Sequence, residues 1–192
     1  MANQFLAGKR ALITHADRFM GPALCDSFRR HGAEVIADTS ALLTPDAPAA
    51  LIAGAGDLDI LVINLALKAP TTPLDQIEDS EWQTAFQALV DPLPRLVRAV
   101  VPMMKAKKRG KILVMGSASA LRGMKNCATY SAARGAQLAY VQAAGVELAP
   151  HNIQINAIAQ NFVDNPTYFP PEVQANPRFQ ERLKREVPLG RL

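Results

Sequence analysis

The sequence predicts an α/β fold, a parallel sheet covered by helices on both faces, and three observations carry that reading. Short apolar runs rich in Val, Ile and Leu recur along the chain, segments of helical period separate them, and Gly, Pro and Asp fall in the turns between. The first run, Arg10 to Thr14, has the length and composition of a buried strand. A polar turn then leads to Gly21-Pro22, where proline suits the first turn of a helix. Leu24 and Phe28, four apart, continue that helix on one face until Gly32 caps it. Glu34 to Ala37 is the second predicted strand, ended by Asp38. Thr39 to Gly56, rich in Ala and Pro, predicts a weak helix with loops and no strand. Ile60 to Asn64 (ILVIN) predicts a fully buried strand, and the two prolines of the following KAPTTP forbid continued helix. A long helical segment runs from Asp79 to Lys107, with Pro92 and Pro94 expected to kink or divide it. Lys111 to Gly116 predicts the next strand, Tyr130 to Ala149 the next helix, and Ile153 to Ile158 the last strand. A polar and aromatic loop, Gln160 to Pro171, precedes a charged helix from Arg178 to Glu186.

Composition sets the class. With 192 residues, 49% of them hydrophobic and 20% charged, the chain is long enough to bury a sizeable core as one domain. A mean hydropathy of +0.03 excludes a disordered or collagen-like chain. The 21 Lys+Arg exceed the 17 Asp+Glu by four, too few and too dispersed to argue for nucleic acid. The basic run KAKKRGK reads instead as a solvated helix end whose charges complement the helix dipole. Cys25 and Cys127 cannot build a disulfide scaffold and fit a reduced, cytoplasmic setting. The opening MANQFLAGKRALIT lacks the apolar core and cleavage site of a signal peptide, and no apolar run reaches ~18 residues, so no membrane partner is expected. His15, His31 and His151 lie on separate elements without ligand spacing, which implies no metal site.

The chemistry concentrates at one place. Ser117 ends a predicted strand, Tyr130 follows 130 − 117 = 13 residues later at the start of a helix, and Arg134 lies one turn beyond it on the same face. In an open parallel sheet, ligands bind beyond the carboxyl ends of the strands, which is where this face points. Each residue alone has a plain explanation: a serine ending a strand, a tyrosine opening a helix, a surface arginine. Together and in that order they resemble the Ser-Tyr-basic triad of the short-chain dehydrogenase/reductase superfamily. The resemblance also takes in ILVINLA, RAVVP from Arg98 to Pro102, GSASA from Gly116 to Ala120, YSAAR from Tyr130 to Arg134, and NIQINAI from Asn152 to Ile158. It implies a Rossmann-like doubly wound domain over residues 1–192. The chain stops at PLGRL, where a further helix and a final strand are expected to begin, so the resemblance implies a domain incomplete at its C-terminus and lacking its last strand.

Two departures redirect the functional reading. The superfamily's basic residue is lysine, whereas Arg134 is planar and permanently ionised. The superfamily also carries TGxxxGxG after the first strand, because glycine lets the backbone approach a dinucleotide pyrophosphate. Here the same register reads THADRFMG, with His15 and Phe19 at the first two glycine positions and only Gly21 retained. The helper asparagine of the long helix is missing as well, since Glu81 to Arg98 contains no Asn. A Ser-Tyr-Arg triad without a dinucleotide loop resembles the halohydrin dehalogenases, and the opening FLAGKR, LVDPLPRL and VPLGRL resemble their B-type subgroup.

That resemblance implies a cofactor-independent lyase. A vicinal haloalcohol loses a proton, its oxygen displaces halide from the neighbouring carbon, and an epoxide forms, with reversal by anionic nucleophiles. Tyr130 would act as base, Ser117 would hold the substrate hydroxyl, and Arg134 would favour the phenolate. An unperturbed tyrosine, pKa ~10, is only about one part in a thousand ionised at neutral pH, so a nearby cation has work to do. The resemblance further implies a halide pocket from Phe19, Gln160, Asn161 and Phe162, and a homotetramer assembled through the two long helices. Asp38, placed like a ribose-binding carboxylate, keeps open an NAD(P)-dependent oxidoreductase with a remodelled loop. Cys127 reads as a small buried packer, and Ser119, Met124 and Cys127 are the candidates for lining the pocket between Ser117 and Tyr130.

Overall fold

The structure, a computed structural model, describes residues 4–192, so the first three residues of the opening stretch read above for a signal peptide lie outside it. Five strands form one parallel sheet: β1 (Arg10–Ile13), β2 (Glu34–Ala37), β3 (Ile60–Ile63), β4 (Gly110–Met115) and β5 (Ile153–Ile158). Their order, β2-β1-β3-β4-β5, runs outward in both directions from the β1/β3 pair. All four pairings are parallel, with Leu12 beside Leu61, Leu61 beside Ile112 and Ile112 beside Ile155. The fold is the predicted Rossmann-like one.

The described residues hold seven helices, five that connect and flank the strands, α1 (Gly21–Arg30), α2 (Ala47–Ala55), α3 (Asp79–Leu89), α4 (Pro92–Lys107) and α5 (Ala128–Leu148), and two later in the chain, α6 (Pro171–Gln174) and α7 (Pro177–Glu186). Proline opens α1, α2, α4, α6 and α7 within the first two positions, where its missing N–H breaks no helical bond. The long segment expected over Asp79 to Lys107 is divided at Val90-Asp91 by Pro92, which then serves as the first residue of α4. Asn176 caps α7 by accepting from the Arg178 N–H at 2.9 Å.

Strand alternation decides which helix covers which face. Leu12, Leu61, Ile63, Ile112, Val114, Ile153 and Ile155 share one buried cluster with Ile52 of α2, Leu96, Val100 and Met104 of α4, and Val141 and Leu148 of α5. Ala11, Ile13, Ile60, Val62 and Met115 belong to the other cluster, with Cys25 and the flanking Leu24 and Phe28 of α1. Side chains one residue apart on β1 and β3 thus enter opposite cores, as a strand buried on both faces requires. Each fully buried leucine contributes about 1.5–3 kcal/mol.

The basic run is spent locally. Lys107 Nζ donates to Asp57 Oδ1 and to the Leu58 carbonyl, both at 2.6 Å, and Arg109 lies 3.6 Å from Asp59. No helix among the described residues is long and apolar enough to cross a membrane.

The described chain forms two compact units, one ending at Ala159 and holding the whole sheet, the other Gln160–Leu192. The second unit has its own aromatic cluster: Phe162 stacks on Phe169 at 5.7 Å, and Phe169 meets Phe179 at 5.2 Å.

One glycine closes the turn between β1 and α1. A Cβ at Gly21 would stand 2.4 Å from the His15 carbonyl oxygen and 2.6 Å from the Ala16 carbonyl carbon, both backbone atoms. Gly21→Ala is therefore expected to cost at least about 2 kcal/mol in urea unfolding, and a variant as stable as the parent would show that the turn opens freely.

Candidate active site

The site forms where β3 and β4 end. After Met115 the chain leaves β4, and Ser117 opens a 3-10 turn over Ala118–Ala120. Ser117 Oγ accepts twice from Ser119, from its N–H at 3.2 Å and from its hydroxyl at 3.0 Å. With both of those donors supplied by Ser119, the Ser117 O–H proton is left to donate outward. Ser119 is buried and serves Ser117, whereas Met124 is exposed. Cys127 is buried just before α5, and burial pushes its thiol up, which suits a packing role.

Tyr130 and Arg134 stand one turn apart on α5, and both are buried. The Arg134 guanidinium lies over the Tyr130 ring, 5.1 Å from its centroid. Its Nη1 donates to the Met115 carbonyl and to Gln137 Oε1, each at 3.0 Å, and Nη2 donates to the Leu65 carbonyl at 3.1 Å. Arg134 thus ties α5 to the end of β4 and to the segment just past β3. Ser117 lies two residues beyond the Met115 carbonyl that Arg134 holds. Arg134 and Tyr130 are thus in contact, and Ser117 opens the turn after the strand end that Arg134 holds, at the carboxyl ends of the central strands. The plain alternative of a surface arginine does not hold, since Arg134 is only 5% exposed.

The turn after β1 is built around its substitutions. His15 and Phe19, where glycines were expected, keep the left-handed backbone that glycine favours, with φ of 43° and 48°. For residues with a Cβ this costs about 1–2 kcal/mol each. Asn64, ending the ILVIN run, offsets it by donating from Nδ2 to the carbonyls of His15 (3.0 Å) and Arg18 (3.1 Å). The Ala66 N–H donates to His15 Nδ1 at 3.0 Å, and the Ala16, Arg18 and Gly21 N–H groups bond within this part of the fold. A dinucleotide pyrophosphate needs glycine and free N–H groups here, so this turn does not fit it. Asp38, at the end of β2, is the contrary sign: it is 8% exposed, and its Oδ2 has no partner among the described residues.

Phe19, half-buried, belongs to the first unit. The other residues assigned to halide, Gln160, Asn161 and Phe162, belong to the second. There Asn161 is exposed, and Phe162 is engaged by its own unit, with Arg182 5.4 Å from its ring centroid. Two residues that matter to the site were not singled out from the sequence. Asn64 is a polar residue closing an apolar strand, and Gln137 interrupts the buried face of α5 three residues after Arg134. Each carried that faint signal, a polar residue where the pattern calls for an apolar one.

A family model described as enoyl-(acyl carrier protein) reductase matches residues 44–192. The chain belongs to the short-chain dehydrogenase/reductase superfamily. It is similar to other members of the superfamily along most of its length. A sorbitol dehydrogenase of Cereibacter sphaeroides is 34% identical over 83% of this chain and 72% of its own. A 3-oxoacyl-(acyl-carrier-protein) reductase of Escherichia coli (strain K12) is 26% identical over 82% and 74%. Among solved structures, one titled as a dehalogenation enzyme superposes with a TM-score of 0.88 at 32% identity, covering 97% of this chain and 86% of the other. A gluconate 5-dehydrogenase from Burkholderia cenocepacia J2315 superposes with a TM-score of 0.86 at 24% identity over 99% and 84%, and shares the fold. Within this superfamily the chain is an enzyme with lysine replaced by Arg134 and two loop glycines replaced by His15 and Phe19.

His15 makes the turn acid-sensitive. Burial, then the Arg18 charge, holds its pKa below the ordinary value of 6.5, against smaller opposing effects of Asp38 and Asp17. A proton on Nδ1 would also face the Ala66 N–H donor. Because the folded pKa is lowered, the stabilisation from neutral His15 is complete above pH ~6.5 and is lost as pH falls through the lower folded value. Thermal unfolding measured from pH 7.5 down to 5 is expected to show a falling midpoint, and His15→Leu a flatter profile over that window. An unchanged slope in the variant would remove His15 as the cause.

Proposed function

We propose that the chain is a halohydrin dehalogenase, converting vicinal haloalcohols to epoxides with release of halide and a proton. The observation that carries this reading is the turn after β1, closed by His15, Phe19 and Asn64 against a pyrophosphate, beside an assembled Ser117, Tyr130 and Arg134. The 32% identical structure titled as a dehalogenation enzyme supports it.

The substrate hydroxyl is held by Ser117, whose outward O–H donates to it, and gives its proton to Tyr130. The freed oxygen attacks the neighbouring carbon as the carbon–halogen bond breaks, so one C–O bond replaces one C–halogen bond and no electrons change hands with a cofactor. Arg134 supplies the positive charge beside the Tyr130 ring. Its three oxygen partners are neutral, which leaves that charge uncompensated by a carboxylate. In this reading Phe19 is the first unit's halide-binding residue. The same reading includes a homotetramer through α4 and α5. The groove between these helices, lined by Val97, Val101, Tyr140 and Ala144 among others, offers apolar surface for it. Sedimentation of the purified chain is expected to give a tetramer, and a monomer would refute that assembly.

A second reading, an NAD(P)-dependent oxidoreductase, is favoured by the buried Asp38 carboxylate, whose Oδ1 accepts from the Ser40 N–H and whose Oδ2 has no partner among the described residues. One assay separates the two. Halide release from a simple bromoalcohol is expected without cofactor, with no thermal shift on adding NAD or NADP, and Tyr130→Phe is expected to lower release by ~100-fold or more. Substantial turnover in the variant would remove Tyr130 as base, and a clear shift with NADP would favour the second reading.

A further inference from the structure

We infer that Gln137 is a positioning residue, which sets the Arg134 guanidinium by linking it to the carbonyl freed at the break between α3 and α4. The inference rests on the function proposed above and adds a residue to its machinery. Gln137 is fully buried on α5, three residues after Arg134, on the same helix face. Its Oε1 accepts from Arg134 Nη1 at 3.0 Å, and its Nε2 donates to the Leu89 carbonyl at 2.6 Å.

That carbonyl is available because of a proline. Leu89 ends α3, and in an unbroken helix its oxygen would accept from the N–H four residues on, that of Leu93. Here the Leu93 N–H goes to Val90 at 3.2 Å, because the chain restarts at Pro92. A helix C-terminus carries partial negative charge, and an unpaired buried carbonyl there is costly. Gln137 satisfies it. The same bond polarises the amide and strengthens Oε1 as an acceptor for the cation.

Packing alone does not explain the choice. A buried face beside Ala133 and Val141 is filled equally well by leucine, and an amide is favoured only where both its ends are used. Of the three oxygens holding Arg134, two are backbone carbonyls anchored in the sheet region, and Gln137 supplies the third. It is neutral, so it steers the guanidinium over Tyr130 without neutralising it, where a glutamate at this position would do both.

The test uses the full chain and two variants. Gln137→Leu is expected to lower kcat for halide release about 10- to 100-fold with KM changed less than about threefold, the pattern of a misplaced charge rather than lost substrate contact. Gln137→Glu, which keeps an acceptor for Arg134 but takes the donor from the Leu89 carbonyl and neutralises the guanidinium, is expected to lower kcat as well. In an Arg134→Ala background neither change is expected to reduce kcat further, and added guanidinium is expected to restore turnover only where Gln137 is present. An unchanged kcat in a folded variant, or a loss that adds to that of Arg134→Ala, overturns the inference. If the parent chain itself releases no halide, the proposed function fails, and the inference is judged on unfolding: stability losses of Gln137→Leu and Arg134→Ala that simply add overturn it, and coupled losses uphold the link.

Discussion

Arg134 is a permanently charged group inside the protein, and a guanidinium taken out of water depends on oxygen partners for its N–H groups, which Nη1 and Nη2 find here while the buried Nε has none among the described residues. The partners here are carbonyls that a parallel sheet leaves open at the carboxyl ends of its strands, together with one side-chain amide. Holding them orders three otherwise separate segments: the chain leaving β3, the chain leaving β4, and α5. Tyr130 takes its place from the same requirement, because its ring lies under the cation. Removing the charge would release these segments from one another, and reversing the burial would leave their carbonyls unpaired.

The turn after β1 follows a different logic. In relatives that bind dinucleotides, glycine makes the left-handed positions inexpensive and leaves room for phosphate. This chain keeps the left-handed geometry with His15 and Phe19 in place of glycine, and hydrogen bonds from Asn64 and Ala66 hold the turn. Gly21 alone stays irreplaceable, because there the crowding is between backbone atoms.

Much of the fold was legible from local pattern. All five strands lie where apolar runs predicted them, α1, α5 and α7 match their predicted segments to within a few residues, and α2 fills the later half of the stretch read as a weak helix with loops. The division of the long helix was foreseen from Pro92, although not its use, since nothing near Pro92 in sequence hints that the Leu89 carbonyl would be taken by Gln137. His15 was read, with His31 and His151, as lacking metal-ligand spacing, and that reading held no sign of its hydrogen bond from the Ala66 N–H. The triad was legible because its three members fall at strand and helix ends with fixed spacing, a signal confined to a short stretch of chain.

The sequence by itself determined the α/β class, the order of elements, and the candidates Ser117, Tyr130 and Arg134, because strand alternation, helical period and turn chemistry are written within a few residues of one another. Only the tertiary structure decided which oxygens receive the buried cation. Arg134 reaches the Leu65 carbonyl, 69 residues away, and the Gln137 amide that holds it is itself tied to Leu89, 48 residues away. Such pairings follow from how strands register and where a helix is broken, and no local propensity encodes them.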